Sequence, residues 1–397
     1  MSPKPDNRSN DPLLRILYVF ESPYPWPIGG AERHALRLAN ELVQKGWQTS
    51  FVSPYPKAWR QATAIEQNQR IHRLAIPLEE NHRFFKRLFY LRLCWFLVTQ
   101  RRSYDIVDMH LLGTTAFITT VIKLLGKSSI LKINTIEHWN FLKSKFNIPH
   151  IRAIFRRSFR DLDGFLVLSR FLNKVLERDG IPPGKIHYVQ DGISIDLYRD
   201  AKKQLRQKLD LPQTGPILLY AGRFIPKKNV PLLVHGFQKI VRQHPDLWLV
   251  MLGDGPLMPK VRKLVNNLQL SDRIYFRGIV SNVSEYMSAC DIFVLPSDIE
   301  GCPNVLLEAM CCRMACVVTR FEGGADEIII DGTNGCLVDR GDQEGMAAAV
   351  HQLIAEPFRR VQWGQAAYET IRNQFNIKQT ADSYARVYRM LFESKIK

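Results

Sequence analysis

Short aliphatic runs recur along this 397-residue chain, each followed by a longer stretch with helical spacing. No other pattern in it narrows the possible folds so far. Strands are expected at Ile16 to Phe20, Gln48 to Val52, Ile106 to Met109, Ile130 to Ile136 and Phe165 to Leu168. A second series comes at Ile217 to Ala221, Trp248 to Leu252, Ile274 to Phe276, Ile292 to Leu295 and Cys316 to Thr319. Several of these runs are continuously apolar, as strands covered on both faces must be. Strands alternating with helices give parallel α/β sheets.

The series breaks between Asp191 and Thr214 at an Asp-Gly turn, a charged helical stretch (Arg199 to Leu209) and a Pro/Gly-punctuated loop. At this length two cores are expected rather than one. The division places a first α/β domain at 12–195 and a second at 200–375, with a terminal helix at about 376–397 returning to the first. Two such sheets face each other across a cleft, and ligands of such sheets bind beyond the carboxyl ends of strands.

The richest chemistry follows the run Ile292 to Leu295: Pro-Ser-Asp-Ile-Glu-Gly-Cys-Pro-Asn-Val-Leu-Leu-Glu-Ala-Met, Pro296 to Met310. Pro303 suits the first position of a helix starting near Asn304. Free amides in that first turn, with the positive end of the helix dipole, favour an anion. Gly301, Cys302, Pro303, Asn304 and Val305 would line this anion site, with Glu300 in the loop and Glu308 about one turn into the helix. Carboxylates accept hydrogen bonds from vicinal hydroxyls. Spacing alone leaves two readings level: a capped helix with incidental acids, or a site for a phosphate and a sugar.

After Ile217 to Ala221 comes Gly222-Arg223-Phe224-Ile225-Pro226-Lys227-Lys228-Asn229. Arg223 can grip phosphate as a fork and Lys228 can add a point charge. Taken alone, the two cations read more readily as a solvated surface pair. In the first domain, Gly29 and Gly30 free the backbone for close approach at a helix start. His110 ends one strand and His138 lies just past another. Gly253-Asp254-Gly255 follows a strand, but Met258 fills the third glycine position of a dinucleotide fingerprint. Asp161-Leu162-Asp163 leads straight into an apolar run, so a helix-to-strand turn is expected there rather than a metal site.

As an ordered set, these motifs resemble the retaining glycosyltransferases of family four, along nearly the whole chain. Glu300 and Glu308 match the E-x7-E signature, Arg223 and Lys228 the diphosphate-binding pair, and Gly29-Gly30-Ala31-Glu32 the loop opening the first helix. Gly253, Gly255, Gly324 and Glu327 fall at further family positions. The resemblance implies a GT-B fold, two Rossmann-like domains facing a central cleft. It implies transfer of a hexose from a nucleotide diphosphate sugar to a glycan or lipid-linked acceptor, with no metal or other cofactor. Glu300, Arg223, Lys228 and His138 would act at the reacting centre. Glu308, Gly253, Gly255 and the 301–305 segment would hold the donor, with Gly29, Gly30 and His110 toward the acceptor. Asn229 and Arg313 replace glycines of the pattern, Ala315 a proline, and Asp191 an asparagine. Lipopolysaccharide core or exopolysaccharide synthesis is the expected setting.

The net charge of +17 favours anionic partners. His82 to Arg102 and His138 to Arg160 contain no acid. In the first, Phe84, Leu88, Leu91, Trp95 and Val98 fall at helical spacing. That stripe reads either as core beneath a solvated charged face or as a surface for anionic lipid. No nucleic-acid module accompanies the charge. Seven cysteines without a C-x-x-C pair read as reduced thiols. Met1 to Asp11 lacks an apolar core segment. A cytoplasmic enzyme is expected, peripheral to the inner membrane face. The alternatives are a sugar-nucleotide epimerase of the same fold, or a basic membrane- or nucleic-acid-binding protein with a degenerate site.

Overall fold

The computed structural model describes residues 14–21, 29–56, 63–66, 69–76, 83–111, 115–144, 149–195 and 202–396. Its first sheet has eight strands: β1 (Arg15–Phe20), β2 (Gln48–Pro56), β3 (Thr63–Glu66), β4 (Gln69–Ile76), β5 (Ile106–His110), β6 (Ser128–Ile133), β7 (Gly164–Val167) and β8 (Ile186–Tyr188). They lie in the order β3-β4-β2-β1-β5-β6-β7-β8, all parallel except β3 against β4. Helices α1 (Gly30–Gln44), α2 (Arg83–Thr99), α3 (Thr115–Leu124), α4 (Ile136–Ser144), α5 (Pro149–Asp161) and α6 (Arg170–Arg178) connect them.

After α7 (Lys202–Lys208) comes a second, wholly parallel sheet: β9 (Ile217–Ala221), β10 (Trp248–Leu252), β11 (Ile274–Gly278), β12 (Ile292–Leu295), β13 (Ala315–Thr319) and β14 (Cys336–Val338), ordered β11-β10-β9-β12-β13-β14. Its helices are α8 (Val230–Val241), α9 (Met258–Asn267), α10 (Val283–Ala289), α11 (Asn304–Cys311), α12 (Gln343–Ala355) and α13 (Pro357–Gln374). The continuous apolar strands are buried on both faces, as β9 and β12 show at every residue.

The final helix, α14 (Ile377–Ile396), lies with α1 over one face of the first sheet. Tyr388 of α14 donates to Asp108 Oδ2 of β5 (2.5 Å), and Ser128 Oγ of β6 donates to the Leu391 carbonyl (2.9 Å). The chain crosses back through Ile193, whose amide donates to the Phe375 carbonyl and whose carbonyl accepts from Ile377.

One strand expectation changes, and the reading of the α2 stripe, which the sequence left open, narrows. The run Ile130 to Ile136 is not one strand: β6 stops at Ile133, and Ile136 opens α4. Thr135 causes the break, its hydroxyl accepting from the His138 amide at 3.2 Å. The apolar stripe of α2 is mostly not core, with Leu88 half-buried. Phe89, Leu93, Phe96 and Leu97 fill the core, whereas Leu91 and Trp95 are 63% and 73% exposed and Val98 is exposed beside them. Phe84's side chain lies outside the described set.

Candidate functional site

In both sheets the strand order reverses at the centre: between β1 and β5 in the first, between β9 and β12 in the second. At such a point neighbouring loops leave in opposite directions and open a crevice at the carboxyl ends. The two crevices face each other, because residues beyond the ends of β12 and β13 touch residues beyond the ends of β1, β6 and β7.

The second-domain crevice is laced by backbone hydrogen bonds. Asp298 N donates to the Lys227 carbonyl (2.9 Å), Glu322 N to Asp298 (2.8 Å) and Glu300 N to Glu322 (3.1 Å). Phe224 N donates to Asp254 (2.9 Å) and Leu257 N to Phe224 (2.9 Å). Gly253 and Gly255 make this lacing possible. Both have positive φ, and a Cβ on either would meet the backbone of Gly222 or Phe224 at 2.0 and 2.6 Å. Asn229, where the family pattern has glycine, adopts a left-handed conformation (φ 43°) and ties Nδ2 to Asp298 Oδ1 at 3.1 Å. Arg313, the other glycine replacement, is also left-handed (φ 57°), its guanidinium stacked on Tyr368. Both departures keep the backbone shape that glycine would give.

Within this frame Lys228 Nζ pairs directly with Glu300 Oε1, both side chains largely buried. Arg223 is exposed, with Tyr220 OH donating to its carbonyl at 3.0 Å. Burial, then the charge of Glu300, pushes the Tyr220 hydroxyl well up, so it stays a neutral donor. The first backbone bond of α11 runs from Leu306 N to the Pro303 carbonyl (2.9 Å), leaving the Asn304 and Val305 amides ahead of it. Pro303 is therefore the cap residue, not the first helical one. Cys302 is buried, its thiol 3.9 Å from the Asp191 carbonyl, and burial pushes its pKa far up. It is packing rather than a nucleophile.

Several residues assigned by sequence to separate halves are joined. Asn304 Nδ2 donates to the Gly30 carbonyl at 2.8 Å, and a Cβ on Gly30 would lie 3.1 Å from that nitrogen. Gly30 therefore belongs to the seam between the domains, while Gly29 caps α1 in an extended conformation beside Glu32. A Cβ on Gly301 would fall 1.7 Å from the Asn134 carbonyl just past β6, so only glycine fits. Glu308 Oε1 accepts from Arg37 Nη2 of α1 at 2.8 Å. Lys227 pairs with Glu137 of α4. Glu327 accepts from the Arg170 amide (2.8 Å), the Phe171 amide (3.3 Å) and Tyr188 OH (2.9 Å), so one carboxylate covers the N-terminus of α6.

In the first-domain crevice, His138 lies in the first turn of α4 rather than at a strand end. Its Nε2 donates to the Leu111 carbonyl at 2.9 Å, and burial lowers its pKa. That hydrogen bond fixes the tautomer and leaves Nδ1 as a buried lone pair with no partner among the described residues. His110 ends β5, its ring tilted against Phe20 with centroids 4.5 Å apart. Burial lowers its pKa far below the usual value, and its Nε2 is 3.4 Å from Asp108 Oδ1 without forming a hydrogen bond.

Behind these histidines lies a polar cluster that the sequence did not disclose. Lys132 of β6, fully buried, donates to Asp191 Oδ1 at 2.7 Å. His34 of α1 lies 3.3 Å from the same oxygen, while its Nε2 accepts from the Gly192 amide. Asp191, standing where the family pattern has asparagine, is thus paired with the buried lysine of β6. Only the chemical oddity of a lysine inside the apolar run Ile130 to Ile133 hinted at it.

Comparison with known proteins agrees with this architecture. Residues 28–197 match the family model described as Glycosyltransferase Family 4, and residues 201–370 match Glycosyl transferases group 1. The fold is that of a two-domain, GT-B glycosyltransferase, and the chain belongs to glycosyltransferase family four. It is 27% identical to the N-acetyl-alpha-D-glucosaminyl L-malate synthase of Bacillus anthracis over 371 residues, 92% of this chain and 94% of that one. It is 33% identical to the lipopolysaccharide core biosynthesis glycosyltransferase LpsE of Rhizobium meliloti over 182 residues, 46% of this chain and about half (52%) of that one. Among solved structures, HepE of Anabaena in complex with UDP-glucose superposes with a TM-score of 0.77 at 18% identity, covering 95% of this chain and all of that one. Sucrose-phosphate synthase of Thermosynechococcus elongatus superposes at 0.81 and 21% identity, covering 96% and 100%.

Proposed function

We propose that this enzyme moves a hexose from a nucleoside diphosphate sugar to a glycan or lipid-linked acceptor, with retention at the anomeric carbon, in cell-surface polysaccharide or lipopolysaccharide synthesis. The observation that carries this reading is the Lys228–Glu300 pair beside Arg223, at the switch point of the second sheet. Donor binding lets Lys228 exchange Glu300 for a phosphate oxygen, which frees Glu300 to take a sugar hydroxyl. Arg223 and the amides of Asn304 and Val305 complete the cradle. These fixed cations and dipoles stabilise the charge that develops on the departing diphosphate. They supply the role a divalent cation would otherwise fill, so activity in excess chelator is the expected result. In the reaction the anomeric carbon's bond to the diphosphate oxygen breaks and its bond to the acceptor oxygen forms on the same face. The acceptor's proton passes to the leaving phosphate oxygen. The unpaired Nδ1 of His138 accepts a hydrogen bond from the acceptor hydroxyl and orients it. The neighbours solved with UDP and UDP-glucose support a uridine donor as the first to try.

The test is product analysis by NMR after incubation with a donor panel. A glycoside of the donor's own anomeric configuration is expected. An inverted product overturns retention, and conversion of the sugar without any acceptor indicates an epimerase.

The first domain, in this reading, works against an anionic membrane face. Leu91, Trp95 and Val98 form an exposed i, i+4, i+7 stripe on α2, with exposed Arg87, Arg101 and Arg102 and no acid from His82 to Arg102. Phe117 and Leu124 of the neighbouring α3 are exposed on the same layer. Each basic residue near such a surface contributes ~1 kcal/mol. No helix among the described residues is long and apolar enough to cross a membrane. Sedimentation with acidic vesicles should exceed that with neutral ones at low salt, and Trp95→Ala should reduce it. Equal sedimentation with both lipids overturns the idea.

A further inference from the structure

We propose that Arg37, on the first helix of the first domain, completes the donor's ribose subsite in the second domain. The inference rests on the proposed function: it takes Glu308, which the family resemblance puts on the donor side, as the carboxylate that meets the ribose, and it extends that subsite across the domain seam.

The seam is formed by α1 and α11 lying side by side, and it is pinned at two levels. At one, Asn304 Nδ2 donates to the Gly30 carbonyl at 2.8 Å. At the other, Arg37 Nη2 donates to Glu308 Oε1 at 2.8 Å. Gly30 and Arg37 are seven residues apart on α1, and Asn304 and Glu308 four apart on α11, so each pair shares one helical face. Both side chains of the Arg37–Glu308 pair are partly buried, at 32% and 22% exposure. A guanidinium binds a carboxylate best through two parallel hydrogen bonds. Here Arg37 makes one, and its Nη1 is buried with no partner among the described residues. Asn304 Oδ1, one turn before Glu308 on the same face, is likewise buried and unpartnered. Buried polar atoms are rarely left unmatched. The seam therefore offers an unpaired donor from one domain and an unpaired acceptor from the other, beside a carboxylate already oriented by Arg37. A vicinal diol, whose hydroxyls both donate and accept, satisfies that set.

The consequence is that the ribose is recognised by both domains. A donor held by Arg223, Lys228 and Glu300 alone is gripped by its diphosphate and hexose. The ribose hydroxyls are read only when α1 is docked on α11. Arg37 is thus a ligand-positioning residue for the ribose and not a participant in bond breaking.

The experiment compares affinities for UDP and 2′-deoxy-UDP by calorimetry, with the GDP pair in parallel, for wild type, Arg37→Gln, Arg37→Lys and Glu308→Gln. Wild type should prefer the ribonucleotide by about tenfold or more, the weight of one charge-assisted hydrogen bond. Arg37→Gln should lose most of that preference while binding the deoxynucleotide nearly as wild type does. Arg37→Lys keeps the cation, and with it the seam, but has no second terminal nitrogen; it should fold and still lose the preference. A wild-type preference in both Arg37 variants overturns the proposal. If Glu308→Gln keeps the preference while the Arg37 variants lose it, the proposal holds and the reading of Glu308 as the ribose carboxylate fails.

Discussion

Beyond β9 and β12, Arg223, Lys228 and Glu300 sit within eight residues of a strand end, held by loops bonded backbone to backbone. Beyond β1, β5 and β6, the polar groups come from scattered places: Gly30 and Arg37 on α1, His110 on β5, His138 on α4, and Lys132 and Asp191 behind them. The first set is charged and prepaired. The second is dominated by neutral, buried histidines whose charge is suppressed by desolvation. The contrast matches what each half is proposed to hold. A diphosphate is the same in every donor, and a compact cationic motif serves it. The acceptor's reacting group is a hydroxyl, which neutral groups of fixed tautomer can orient.

If the contrast is right, the largest losses come from the second domain. Lys228→Ala and Glu300→Gln should each lower kcat/KM by ~10²- to 10³-fold. Because the two side chains are paired, the double variant should lose less than the product of the single losses. Full additivity breaks the paired-cradle account. Next is Gly301→Ala, which places a methyl group 1.7 Å from the Asn134 carbonyl and so pushes the domains apart. A displacement near 1 Å at the chemistry costs about 10²-fold in rate. Calorimetry should find nucleoside diphosphate binding weakened by no more than the roughly tenfold share of the ribose, while transfer falls further. His138→Ala should act more weakly, raising the acceptor KM by about tenfold with donor affinity unchanged.

The smallest effect concerns stability. Burial raises Asp108 to about 6, opposed by the hydrogen bond from Tyr388. A carboxyl that holds its proton more tightly when folded makes stability fall as pH rises from about 4 to about 6, with no further change above. Asp108→Asn still accepts from Tyr388 and removes that slope. The variant should match wild type at pH 4 and be up to ~3 kcal/mol more stable at pH 7, read from urea midpoints. A difference independent of pH would show that Asp108 does not titrate in this window.

The same contrast explains what the sequence disclosed. β9, β10 and β12 are continuous aliphatic runs and were legible to the residue, because burial on both faces leaves no room for polar groups. β4 was invisible: Gln-Arg-Ile-His-Arg carries a strand near the sheet's edge in mixed polar residues. The end of β6 was misjudged because Thr135 caps a helix inside an apolar run. The charged cluster at Glu300, Arg223 and Lys228 was readable as local motifs. Arg37, Asn134 and Lys132 were not, since their partners lie 271, 167 and 59 positions away, and only the packed sheets bring them together.

The central claim is that the second sheet's switch point holds the donor's diphosphate. Calorimetric titration of wild type and Lys228→Ala with UDP, and with whichever nucleoside diphosphate binds tightest in a thermal-shift panel, tests it most directly. The account predicts tight binding to wild type and at least tenfold weaker binding to the variant, with a shallower salt dependence. Equal affinity in the two proteins would contradict it.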